Sequence, residues 1–417
     1  MAEAARDVLI TGIGLVSCLG EGPDAHWQRL MQAKPAADTT TYAPYVVHRL
    51  APIELDKQIP KKGDQRQMEP WQRIGTYAAG LALDSAGAKG NRALLAAMDL
   101  VVAAGGGERD CAVDGAILSG LPKAANSGAF LNERLMSDLR PTLFLAQLPN
   151  LLAGNISIVH GVTGSSRSFM GEESAGVDAI RIAAARIASR QSEIVLVGGA
   201  HNGERPELLL LYEAGGYMLK GAFAPVFERA GAGMALGSIG AFLVLESPDH
   251  AGACNARALG RIARILSERT RRRSGETRAA LARMWESLRP SLVPGQCAIL
   301  SGATGAAAAT TEEEAFLAAT GVPVRATGTH IGHGVEAQFP MNVALAVLAL
   351  RHGRLYPPAD ASGHEAVTEG GLTQVVVTGV GHWRGEGMAL IEAPVPPSEV
   401  RDPSRHRQAR TSEAKGP

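Results

Sequence analysis

The chain contains the same strand pattern twice. Ile194-Val-Leu-Val-Gly-Gly-Ala-His-Asn-Gly followed by Gly240-Ala-Phe-Leu-Val-Leu-Glu-Ser is echoed by Val375-Val-Val-Thr-Gly-Val-Gly-His-Trp-Arg-Gly followed by Gly387-Met-Ala-Leu-Ile-Glu-Ala. Asp99-Leu-Val-Val-Ala-Ala-Gly-Gly has a similar echo in Cys297-Ala-Ile-Leu-Ser-Gly-Ala-Thr-Gly. Self-similarity of this kind means that one architecture is built twice, which fits better than three unrelated domains. The join lies near Pro248-Asp-His-Ala-Gly, giving an N-terminal half over 1–247 and a C-terminal half over 248–395. Beyond that the composition shifts to Pro, Ser, Arg and Lys, so 396–417 is expected to be a disordered tail.

Short β-branched runs alternate with Ala/Leu-rich stretches of helical period, the pattern of an α/β protein whose strands are covered on both faces. Val8-Leu-Ile and Asp99 to Ala104 read as strands, and Arg73 to Ala86 and Val177 to Ser189 as helices. Glycine makes up 49 of 417 residues, nearly 12%, while aromatics are 4%. That excess over the usual share of about 7% demands many tight turns and close backbone approaches.

Charge and cysteine usage exclude several classes. Forty-one basic against 41 acidic residues give no net charge, which argues against a nucleic-acid binder. Cys18, Cys111, Cys254 and Cys297 lie far apart without a CxxC, so neither a disulfide framework nor a zinc ribbon is expected. Reduced thiols, and a start lacking a basic region followed by an apolar stretch, lead us to expect a cytoplasmic protein. The apolar run Val343 to Leu350 is only eight residues long, too short to span a membrane.

Some motifs mislead. Thr11-Gly12-Ile13-Gly14 follows a strand, but the third glycine of a dinucleotide loop would fall at Ser17, and no phosphate-binding loop ending in Gly-Lys-Ser/Thr occurs, so no cofactor is expected. His330 and His333 form an HxxH pair without the further ligands that would complete a metal site, and no metal is expected. Arg269-Thr-Arg-Arg-Arg reads as a solvated loop that would suit an acidic partner. The segment from Gly164 through Glu172 and Glu173 into an Ala-rich helix is the most informative. A residue in a sharp turn at a helix N-terminus suits a nucleophile or an anion, but acidic N-capping explains the same pattern.

With these segments in view, the chain resembles the β-ketoacyl-acyl carrier protein synthases, elongating condensing enzymes of the thiolase superfamily, over nearly all of residues 7 to 394. Val8-Leu-Ile-Thr-Gly-Ile-Gly-Leu-Val-Ser-Cys-Leu-Gly followed by Trp27, Leu148-Pro-Asn-Leu-Leu-Ala-Gly-Asn-Ile-Ser-Ile, Ile194-Val-Leu-Val-Gly-Gly-Ala, Gly240-Ala-Phe-Leu-Val-Leu-Glu and Thr327 to Gly334 carry the likeness. The resemblance implies a thiolase fold, α/β with two duplicated βαβαβαββ-type halves in a layered α-β-α-β-α sandwich. It also implies a catalytic cysteine, two histidines and a lysine. The cysteine position falls on Glu173, the first histidine on Gly302 with Glu313 matching a later glutamate, and the lysine on Gly328; only the second histidine is kept, as His333. Trp383, in Gly381-His-Trp-Arg-Gly-Glu-Gly, falls near the family's gating phenylalanine.

A Claisen condensation needs an acyl group on a good leaving thiolate, and a Glu carboxylate would hold it only as an anhydride. The expected function is therefore a non-condensing subunit, similar to the chain length factors, pairing as a heterodimer with an active β-ketoacyl synthase and serving acyl carrier protein substrates in fatty acid or polyketide biosynthesis. A homodimer, a malonyl-acyl carrier protein decarboxylase, or a remodelled condensing-fold enzyme using Glu173 are the alternatives, and no nucleic acid or membrane partner is expected.

Overall fold

A computed structural model describes residues 5–229, 232–368 and 370–394. The proposed tail over 396–417 lies outside the described residues. The ten long strands are β1 (Val8–Ser17), β2 (Asp99–Ala104), β3 (Ser166–Phe169), β4 (Ile194–His201), β5 (Ile239–Glu246), β6 (Gly260–Glu268), β7 (Cys297–Ser301), β8 (Val324–Ala326), β9 (Gln374–Val380) and β10 (Glu386–Glu392). Their order is β3-β2-β4-β5-β1 in the first half and β8-β7-β9-β10-β6 in the second. The same five-strand order thus occurs twice. In both halves the first two pairings are parallel and the last two antiparallel. The half-sheets meet where Val8–Ile10 of β1 pair with Gly260–Ile262 of β6.

Three layers of helix enclose the two half-sheets. Outside the first lie α1 (Pro70–Ser85) and α2 (Leu151–His160); between the half-sheets lie α3 (Glu173–Ala188) and α6 (Gln338–Arg351); outside the second lie α4 (Glu276–Leu288) and α5 (Ala307–Thr320). The mixed α/β thiolase architecture expected from the resemblance is therefore present. Helix α6 is buried on every side from Gln338 to Leu350, as a helix sandwiched between two sheets must be. Its Val343, Leu345 and Val347 share one core with Val177, Ile180 and Ile187 of α3 and with strand residues from both halves.

Glycines permit this tight layering at two crossings. A Cβ at Gly14 would lie 2.0 Å from the Ala78 carbonyl oxygen, and one at Gly12 would lie 2.5 Å from that of Ala82. The Gly12-Ile-Gly14 element thus lets α1 lie directly on the backbone of β1, which explains a glycine pattern that mimics the start of a dinucleotide loop. In the central layer, a Cβ at Gly176 would meet the Glu336 carbonyl oxygen at 2.5 Å. Several boundaries move relative to the sequence reading. Strand β1 runs on to Ser17 because it pairs with β5 as far as Val16 and then with the adjacent Gly20–Glu21, and α3 begins at Glu173 rather than Val177.

Gly14→Ala is expected to destabilise the protein by about 3 kcal/mol, because no flexible side chain can move aside. Gly63, in the short helix Lys62–Gln67, has open space around its Cβ position, so Gly63→Ala should stay within about 1 kcal/mol of the wild type. Urea midpoints of the two variants check both values.

Candidate functional site

Glu173 is the first residue of α3, and it is reached through a strained turn. Glu172 holds φ 58° and ψ −138°, a conformation costly for a residue with a Cβ and characteristic of sites that must aim the next side chain. The Glu173 side chain points into the space between the halves and is buried. His333, two residues beyond the short helix Gly328–Ile331, donates from Nε2 to Glu173 Oε1 at 2.8 Å. His382 donates to the same oxygen twice, from Nδ1 at 2.8 Å and from its backbone N–H at 3.1 Å. A carboxylate of the first half is thus held by two histidines of the second.

The electrostatics follow from burial and these bonds. Burial alone would push the Glu173 carboxyl up, but the hydrogen bonds from His333 and His382 hold it well below the usual carboxylate range. Burial also works against a charged His382, yet the bond to Glu173 and the nearby Glu172 outweigh it and raise its pKa. Burial wins at His333, whose pKa is lowered. Glu173 is thus held as a carboxylate, and of the two histidines His382 is the one whose charged form the site favours. Burial pushes Glu172 up, and Tyr212 is raised by burial and by Glu336, Glu173 and Glu172.

The loop carrying His382 is clamped from behind. Gly381 N–H bonds the Gly385 carbonyl at 2.9 Å, and Arg272 donates to the carbonyls of both glycines and to the Glu386 carboxylate. Arg272 itself sits at φ 58°. Only glycine fits at 381, where a Cβ would lie 2.1 Å from the Arg384 carbonyl oxygen and 3.0 Å from Glu173 Oε2. The basic run from Arg269 is therefore a solvated loop only in part, since Arg272 is turned inward as the anchor of this turn.

The remaining candidate positions fall as follows. Trp383 is 59% exposed and lines a surface pocket together with Tyr217 and His382, while the inward-facing ring of this loop is His382. Tyr212 and Tyr217 pack edge-on against His382 with ring centroids 5.2 and 5.0 Å away. Gly302 is closed off, since a Cβ there would lie 2.6 Å from the Thr378 carbonyl oxygen. At Gly328 a Cβ would come within 3.2 Å of the Ala303 carbonyl oxygen and 3.3 Å of Val226 Cγ2. Glu313 lies beneath Gly302, where its Oε1 accepts from Ser301 Oγ at 2.8 Å and Thr378 Oγ1 at 2.5 Å, and burial pushes its carboxyl up to about 7. His330 is buried against Tyr356, and among the described residues no group of three or more His, Cys, Asp or Glu side chains is arranged to hold a metal ion.

The sequence reading missed His382, the strained Glu172, Arg272, and a buried pair in which His201 Nδ1 lies 3.3 Å from Glu336 Oε2. The available signal was a histidine one or two residues after a glycine at the end of the same strand in both copies of the repeat, Gly-Gly-Ala-His201 and Val-Gly-His382.

The model of the beta-ketoacyl synthase N-terminal domain matches residues 5–251, more than half of the chain. The chain belongs to the beta-ketoacyl synthase family. Among its relatives, the 3-oxoacyl-(acyl-carrier-protein) synthase 2 of Vibrio cholerae is 23% identical over 263 residues, covering 60% of this chain and 60% of that protein's length. The tetracenomycin polyketide synthase ketoacyl synthase beta subunit of Streptomyces glaucescens is 27% identical over 386 residues, 87% of this chain and 90% of that protein. Among solved structures, the ishigamide ketosynthase/chain length factor superposes with a TM-score of 0.76 at 18% identity, covering 94% of this chain and 100% of that one. A ketosynthase in complex with a type II polyketide synthase acyl-carrier protein gives a TM-score of 0.70 at 16% identity, with the same coverage. Among the described residues no helix is long and apolar enough to cross a membrane.

The two pKa shifts set opposite limits. The lowered Glu173 contributes stability above the ordinary carboxylate range, lost as pH falls; the raised His382 contributes stability below pH 6.5, the ordinary imidazole value, lost as pH rises through its own higher pKa. Glu173→Gln should therefore destabilise most between about pH 5 and 6.5, by about 2 kcal/mol, with the difference shrinking on either side. Urea unfolding across pH measures this, and an NMR titration should show the His382 pKa falling in the variant.

Proposed function

We propose that this chain is a non-condensing, chain-length-factor-like subunit of a fatty acid or polyketide synthase that pairs with an active β-ketoacyl synthase. The observation that carries this reading is the engagement of Glu173: at the position assigned to the nucleophile stands a buried carboxylate whose Oε1 already accepts from both nearby imidazoles. Such a site has no thiolate to carry an acyl group. The His333 Nε2–H that would stabilise a developing enolate is also occupied by Glu173, and losing one such donor typically slows chemistry about a hundred- to a thousand-fold. The 27% identity to a ketoacyl synthase beta subunit along nearly the whole chain supports the same role.

A surface for the partner synthase is available. Strand β3 ends the sheet with its other edge unpaired by any described strand, and its residues Ser166 to Ser168 are exposed. Next to it, Ile158 of α2 and Met170 are 70% and 63% exposed. An open edge flanked by exposed apolar side chains is an aggregation hazard unless another sheet continues it, and a paralogue of the same fold offers the matching edge across a pseudo-two-fold axis. An acyl carrier protein fits elsewhere: a pocket of about 310 Å³ is floored by His382 and Tyr217 and lined by Arg271, Arg384 and the exposed Trp383, a cationic mouth suited to an acidic carrier.

Co-expression with an active synthase of the same pathway should yield a stable one-to-one complex that elongates acyl carrier protein substrates, and the isolated chain should show no condensation. Glu173→Cys should remain inactive because Gly302 has no room for a histidine. Purification only as a homodimer, indifferent to any synthase, would overturn the pairing. Carbon dioxide release from malonyl-acyl carrier protein by the isolated chain, lost in His333→Ala, would favour the decarboxylase alternative instead.

A further inference from the structure

We propose that Cys254 is a reactive thiol, set up by His250 and Glu246 for covalent exchange with low-molecular-weight disulfides, at a site separate from Glu173. Glu246 ends β5 opposite Ile194, which begins β4, whereas His201 at the other end of β4 lies beside the Glu173 site. The eight residues of β5 put the thiol about 25 Å from that end of the sheet. The inference is thus independent of the function proposed above.

Three residues at fourfold spacing form the relay. Glu246 is buried, its Oε1 accepts from Thr11 Oγ1, and its Oε2 lies 2.6 Å from His250 Nδ1. Because both carboxylate oxygens act as acceptors, His250 Nδ1 is the donor to Glu246, which leaves Nε2 facing the thiol. Nε2 lies 3.9 Å from Cys254 Sγ. Acid, imidazole and thiol are thus arranged in the order by which a base is oriented and a nucleophile activated. The helix Pro248–Ala253 fixes the spacing: Ser247 caps it by accepting the His250 backbone N–H at 3.2 Å, and Cys254 is its C-cap. Facing His250 from neighbouring elements are Glu193 and Arg6, paired at 2.8 Å, with Asp249 3.8 Å from Arg6.

The other three cysteines are not set up this way. Cys18 and Cys297 are pushed up to about 12 by burial. Cys111 is exposed, but its thiol donates to Glu207 Oε2 at 3.4 Å, and burial with that carboxylate raises its pKa. Cys254 alone among the four is exposed with an imidazole nitrogen as its neighbour. In the exchange, His250 Nε2 takes the thiol proton and Sγ attacks one sulfur of a small disulfide RSSR. The new S–S bond forms as the old one breaks, its electron pair leaves on RS⁻, and His250 returns the proton to give RSH.

The test uses the full chain with limiting iodoacetamide and, separately, oxidised glutathione, each mapped by peptide mass. Cys254 should alkylate at least about tenfold faster than Cys111 at pH 7 and take up one glutathione first. His250→Gln, at a partly exposed position, should slow Cys254 alkylation at pH 7 about tenfold, leaving Cys111 unchanged. Equal rates at Cys111 and Cys254, an unchanged rate in His250→Gln with native circular dichroism, or no glutathione on Cys254 would each overturn the proposal.

Discussion

A buried carboxylate stays ionised only when donors replace the water it has lost, and at Glu173 those donors come from the other half of the molecule. His333 and His382 follow different elements of the second half, while Glu173 opens the central helix of the first. Their shared oxygen ties the two copies of the fold together at the point where the strands of both open. The surrounding features serve this junction. The strained Glu172 aims the carboxylate, glycines 381 and 385 let the His382 turn lie against the start of α3, and Arg272 holds that turn from behind.

The architecture was readable in the sequence because it is written twice. Strand echoes at 99 and 297, at 194 and 375, and at 240 and 387 correspond to β2 and β7, β4 and β9, and β5 and β10, and they predict the equal strand orders. Elements that rest on tertiary pairing were harder to bound. The end of β1 depends on pairing, with β5 as far as Val16 and with the short strand Gly20–Glu21 at Val16 and Ser17, and the N-cap and first turn of α3 carry two acids and a serine that read equally well as a cap.

The site was half readable. Counting along the family's motifs leads to Glu173 and His333, since both are anchored by nearby strand and glycine patterns. His382 escapes the same count because it stands in a turn where a shift of one residue exchanges an inward ring for an outward one, and sequence carries no information on which side of a turn a ring points. Arg272 was hidden for a related reason: five consecutive polar residues look uniformly solvated, and only the backbone conformation at 272 turns one of them inward.

Gly302 shows how the main chain itself can close a position to any side chain. The space beyond its Cα is occupied by a main-chain carbonyl from the neighbouring strand β9, not by water or by a side chain that could swing away. Any larger residue at this point demands that a central strand move first, and that strand is itself held by pairing on both sides. Adding a side chain at this site therefore calls for a concerted shift of the sheet, where at an ordinary position a change of rotamer would do.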